Sequence, residues 1–157
     1  MRKLFLILII LDLLFSCVYA VDELSNFKVD DKLYDSNFNG SDCVIYFDDT
    51  NSSGMGIFKY LDNDCEDDDA IDNILIDDGD DYLEADEDYK LTKNPDNTAN
   101  FTDLDNNNRG IVELVDVNNE KFVIVFWAKN DSSIDNEELI SQLNDFNKNN
   151  EVSPISF

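Results

Sequence analysis

The stretch Phe122-Val123-Ile124-Val125-Phe126-Trp127 constrains the fold more than any other part of the chain. Successive side chains of a strand point to opposite faces, and here both faces are apolar. Such a strand must be covered on both sides, so it belongs in the middle of a sheet. Upstream, Gly110 to Val117 sets Val112, Leu114 and Asp116 on one face and Ile111, Glu113, Val115 and Val117 on the other, and Asn118-Asn119-Glu120 joins the two runs. This predicts a hairpin. The charges at Glu113 and Asp116 break the apolar pattern and place that first strand nearer an edge or a wet face.

The other elements follow from the same periodicities. Val21 to Asn26 reads as a tether, and Phe27-Lys28-Val29 as a short strand stopped by Asp30-Asp31. Cys43 to Phe47 and Met55 to Leu61 are strands separated by an Asp/Asn/Ser/Gly loop, hence a second hairpin. Ile71, Ile74 and Leu75 lie at helical spacing behind the aspartates 67–69, and Tyr82 to Asp88 reads as a second short helical turn. Tyr89 to Lys93 and Thr98 to Asp103 flank Asn94-Pro95-Asp96-Asn97, good turn chemistry for a third hairpin. A last helix starts at Asp135, with Glu138 completing a capping box and Ile134 and Leu139 at the staple positions. Its apolar stripe is Leu139, Ile140, Leu143 and Phe146; Asn149 or Asn150 ends it, and residues 152–155 trail off. The expected class is α+β: an antiparallel β-sheet covered by helices.

Arg2 and Lys3, the apolar run Leu4 to Phe15 and the small-residue site Val18-Tyr19-Ala20 form a secretory signal over residues 1–20. The run is shorter than the ~20 residues of a spanning helix and contains Asp12, which favours cleavage over an uncleaved anchor. Lipid attachment at Cys17 is disfavoured by the bulky Phe15. Cleavage removes Arg2, Lys3 and Asp12, so the net charge goes from −25 to −26, and one domain remains over residues 27–157. That field repels nucleic acid and anionic lipid and attracts a basic protein or cationic surface. The expected location is secreted or cell-surface, and the expected state is a monomer. Cys43 and Cys65 are 22 positions apart; a bridge between them would contribute about 3 kcal/mol, and two free thiols are the alternative.

The signal, Gly54-Met55-Gly56-Ile57-Phe58, Gly110-Ile111-Val112-Glu113-Leu114-Val115, Lys121 to Trp127 and Leu143 to Asn150 together resemble the small secreted PsbP-like proteins of methanogenic archaea. The resemblance spans most of residues 27–155 as a pattern and includes no catalytic motif. It implies a PsbP-like α/β/α sandwich used for binding or scaffolding, and it assigns no site residue.

Three kinds of site are written in the residues. Asp103, Asp105 and Asn107 place oxygen ligands at alternate positions, as a calcium loop does. The EF-hand pattern fails: a frame starting at Asp105 puts Arg109 at a ligand position and Asp116 where Glu belongs. An Asn-rich turn is the simpler reading. Asp62, Asp64 and Asp67 belong to a run, residues 62–88, with fifteen acidic and no basic residues, able to collect cations loosely but more simply a solvated charge run. Asn39, Asn51, Asn100 and Asn130 head glycosylation sequons. Catalytic residues are not identifiable: there is no His, hence no Ser-His or Cys-His pair and, with two mature Cys, no zinc set, and the glycines form no phosphate loop. The expected function is a non-enzymatic binding or interaction domain without a resident cofactor. The alternatives are a calcium-binding or cell-wall-associated structural protein and, further off, a hydrolase with two carboxylates in unlike environments.

Overall fold

In the computed structural model the described residues are 24–40, 42–60, 89–104 and 106–155. They form seven strands, β1 (Ser36–Asn39), β2 (Cys43–Phe47), β3 (Ser53–Tyr60), β4 (Tyr89–Lys93), β5 (Thr98–Asp103), β6 (Asn108–Val117) and β7 (Glu120–Lys129), followed by helix α1 (Asn136–Asn150). All neighbours are antiparallel, in the order β1-β2-β3-β7-β6-β5-β4. The strand that is apolar on both faces, β7, is therefore the central one. The helices expected around residues 70–88 lie outside the described residues, as does the signal.

The β6–β7 connection is tighter than expected. Val117 pairs with Glu120, so only Asn118 and Asn119 turn the chain, with φ of 58° and 66°. Two left-handed residues make the hairpin turn whose twist matches the strands, and Asn tolerates that conformation at low cost. Asp116 accepts the Asn119 N–H at 3.1 Å, so its charge serves the turn.

One face of the sheet carries Val44, Met55, Ile57, Ile111, Val115, Phe122, Ile124, Phe126 and Ala128, and α1 lays Leu139, Leu143 and Phe146 on it. The Asp135 carboxylate accepts the Glu138 N–H at 2.9 Å, as the capping box predicts. Two details of the helix differ from expectation. Ile140 is 40% exposed, because the stripe that reaches the sheet is the narrower Leu139-Leu143-Phe146 line. The helix ends with Glu151 in the left-handed conformation (φ 56°), its N–H returning to the Asn147 carbonyl, rather than at Asn149 or Asn150. Asn150 instead clamps the N-terminal segment. Its side-chain oxygen accepts the Lys28 N–H at 2.6 Å and its amide donates to the Lys28 carbonyl at 3.0 Å.

That clamp accounts for the path of residues 27–29. Phe27 to Val29 is not a strand; it crosses the helix end, with Phe27 against Phe122 (5.2 Å between ring centres) and Phe146 (5.7 Å). The expected tether is already part of the domain at Leu24, which is buried in the core. The first strand is instead Ser36–Asn39, exposed throughout and paired only with β2. The C-terminal residues do not trail off. Thr98 of β5 pairs with Glu113, leaving the β6 edge open beyond that point, and the Ile155 N–H closes it by donating to the Leu114 carbonyl at 2.8 Å.

The largest departure is Glu113. Its charge predicts a wet face, yet it is fully buried, between the sheet and α1. The period-2 pattern sets it on the face of Ile111 and Val115, and that face is the helix-covered one.

Removing Leu143 beyond Cβ should cost roughly 2–5 kcal/mol, and Asp135→Ala about 1 kcal/mol. Ile140→Ala should stay within about 0.5 kcal/mol. Urea denaturation of the three variants checks this order.

Candidate functional site

The second face of the sheet is a different surface. Ala99, Phe101, Val112, Leu114, Val123 and Val125 form its buried cluster, with Phe58, Leu91, Trp127 and Ile155 packed against it. Three of the glycines also lie here, because the register sets Gly54 opposite Trp127, Gly110 opposite Phe101 and Gly56 two residues before Phe58. At each, an aromatic ring occupies the space a side chain would need. A Cβ on Gly54 would lie 2.6 Å from the Trp127 ring, one on Gly56 would meet the Phe58 ring, and one on Gly110 would meet both the Phe101 ring and the Phe126 carbonyl oxygen. Glycine in a strand interior is tolerated where another group must approach the backbone closely. Here it lets three rings lie down on the sheet.

The flattened rings bound a recess of about 180 Å³ lined by Ile45, Gly56, Phe58, Phe101, Val125 and Trp127, with Asp103 and Asn108 at one end. An engineered apolar cavity of roughly 150 Å³ holds a benzene, so one side chain fits. Both polar groups at its end carry acceptor oxygens. Asp103 is a carboxylate, and the Asn108 side-chain oxygen is buried with no hydrogen-bond partner. Ring faces beside acceptor oxygens select a group that is apolar along its length and carries hydrogen-bond donors and positive charge at its tip. A larger recess, about 320 Å³, lies between residues 28–34 and α1, but Lys28 shares its rim with Asp30 and Asp145, so it selects no one ligand chemistry.

The residues singled out in the sequence are placed as follows. Asp103 accepts the Asn106 N–H and side-chain amide, both at 2.9 Å. Asn107 is left-handed (φ 57°) and its side-chain oxygen accepts the Asn130 amide at 3.2 Å. Both are thus engaged in shaping the β5–β6 turn, and Asp105 between them lies outside the described residues. Arg109 turns to the other face, donating to the Asn136 side chain and to the carbonyls of Lys129 and Ile134 just before α1. Among the described residues no three acidic or thiol side chains converge as a metal set would. Asp62, Asp64 and Asp67 lie outside them. Cys43 is a half-buried free thiol against Gly40, and Cys65 lies outside the described residues. Asn39 and Asn51 are exposed. Asn100 and Asn130 donate their amides to Asn94 (3.2 Å) and Asn107, and a glycan on that nitrogen would replace one of its two N–H groups.

Two carboxylates do sit in unlike environments. Burial pushes Glu113 up, to about 7, against the hydrogen bond from Asn147 and with Asp96 adding to the rise. Burial also acts to raise Asp48, but donors from Ser52, Ser53 and Thr50 outweigh it and hold the carboxyl below 3.8. They are not partners. Asp48 organises the β2–β3 turn, Glu113 is sealed beneath α1, and neither lines the aromatic recess.

Sequence reasoning does not anticipate the recess. The Gly54-x-Gly56 spacing inside a strand is its one local sign, since glycine there marks a close approach. Comparisons with protein-family models, with curated proteins and with solved structures found no match.

Gly110→Ala should lower stability by roughly 1–3 kcal/mol, because backbone as well as ring blocks the new methyl. Gly56→Ala should cost less, since the Phe58 ring can swing away. Trp127 is the only tryptophan, so its fluorescence during urea unfolding reports both variants at the recess.

Proposed function

We propose that this chain is an exported, monomeric, non-enzymatic binding module that captures basic proteins by taking an arginine or lysine side chain across Trp127. The aromatic recess with a carboxylate at its end carries the reading: it offers ring faces to the stem and planar head of a basic side chain, and the Asp103 charge to its tip. The net charge of −25 supplies long-range attraction for such a partner and repels nucleic acid and anionic membranes. The signal-like residues 1–20 support export. For a hydrolase, the two carboxylates of unlike environment would have to share a pocket, and Glu113 and Asp48 do not.

The finer architecture belongs to the same proposal. A PsbP-like α/β/α sandwich needs cover on part of the second face, and the full burial there of Val112, Leu114 and Val123, which do not line the recess, supports it.

Titrating the purified protein with a deca-arginine peptide at physiological salt should give a saturable change in Trp127 fluorescence. By calorimetry, Trp127→Ala should weaken binding about five-fold, the equivalent of ~1 kcal/mol of cation–π contact. Many peptides bound per protein, with no effect of Trp127→Ala, would mean diffuse charge attraction and would overturn the recess as the site.

A further inference from the structure

Glu113 and Asn147 share a defect that each can repair in the other. The Asn147 side-chain amide donates to Glu113 Oε2 at 3.1 Å. The remaining acceptor on each partner, Glu113 Oε1 and Asn147 Oδ1, is buried and without a hydrogen bond. Buried acceptors left unpaired are costly and uncommon. Two of them on the two members of one hydrogen-bonded pair point to a proton between them.

We infer that Glu113 is held as the neutral acid, its Oε1–H donating to Asn147 Oδ1 while Asn147 Nδ2–H donates to Oε2, so that a two-bond acid–amide pair docks α1 on the sheet and fails when Glu113 ionises. The neutral acid supplies the one donor the pair lacks and leaves no buried charge. The surroundings agree. From β5 Glu113 faces Thr98, and from β7 Ile124. From α1 it faces Asn147, whose charged neighbours along the chain, Asp145, Lys148 and Glu151, are exposed. The tail residues 152–155 hold no ionisable side chain. Of the described charges, Asp96 at the β4–β5 turn acts on Glu113, and it opposes ionisation.

The sign follows from linkage. Glu113 ionises near 4.5 in an unfolded chain and near 7 when folded. Below 4.5 it is neutral in both states and the pair contributes fully. As pH rises from 4.5 to 7 the unfolded chain releases the proton more readily, so stability declines, and above 7 the contribution is gone.

The test is thermal unfolding of wild type and Glu113→Gln between pH 5 and 8 at high, constant salt. Glutamine presents a donor and an acceptor where the neutral acid does, with one further N–H, and should form the same two bonds. The expected result is equal Tm near pH 5 and, at pH 8, a Glu113→Gln Tm higher by on the order of 5–10 °C. A variant less stable than wild type at both ends, or one that keeps the wild-type pH slope, would overturn the inference. Infrared spectroscopy of wild type gives a second reading that does not depend on the variant folding well. At pH 6 a protonated-carboxyl band should persist after the exposed carboxylates have ionised, and should disappear by pH 8. No such band at pH 6 would equally overturn it.

Discussion

A strand that is apolar on both faces cannot tolerate water on either, and the rest of this domain is arranged around that requirement. With β7 fourth of seven, its backbone groups pair on both sides and its side chains meet neighbours above and below. One face is closed by α1 and by a strap from Leu24 to Val29, fixed to the helix end by two hydrogen bonds through Asn150. The other is closed partly by its own rings, which lie flat because the facing strands contribute glycine. Apolar burial of this kind has to offset conformational entropy and also the self-repulsion of a chain with 36 acidic residues. That is why the described acidic residues are confined to turns, edges and helix surface, with Glu113 the buried exception.

Local patterns in the sequence are legible wherever a single interaction decides the outcome. Alternation and turn chemistry locate the β2–β3, β4–β5 and β6–β7 hairpins, and the Asp135 cap locates the start of α1. What is not legible depends on partners distant along the chain. The Phe27 segment looks like a strand in isolation, but its ring finds Phe122 and Phe146, and Asn150 satisfies the Lys28 backbone. Residues 36–39, Ser-Asn-Phe-Asn, have loop composition and become a strand only because β2 offers an unpaired edge. The tail is ordered for the same reason, by the stretch of β6 that β5 leaves open.

The candidate site is illegible for a related reason. A recess is a property of register: Gly54, Gly56, Gly110, Phe58, Phe101 and Trp127 come from four strands and meet only once each pairing is set. Composition draws attention to the acidic loops, yet several described carboxylates are used internally. Asp103, Asp116 and Asp48 each accept backbone N–H groups within a few residues, the ordinary chemistry by which Asp shapes turns. Abundance of carboxylate is therefore a poor guide to a cation site, and what distinguishes the recess is the company its acceptors keep.

Strand β6 joins the recess to the buried acid. Its even-numbered residues Asn108, Gly110 and Val112 belong to the recess face, and its odd-numbered residues Ile111, Glu113 and Val115 belong to the helix face. The two faces treat a buried acceptor differently. On the recess face the Asn108 oxygen stays buried without a hydrogen bond, in a residue that lines the cavity. On the helix face both unpaired acceptors lie beneath α1, and the proton inferred on Glu113 supplies the donor that the Asn147 oxygen lacks. The alternation of side chains along one strand thus sends Asn108 to the ring-lined recess and Glu113 beneath a helix.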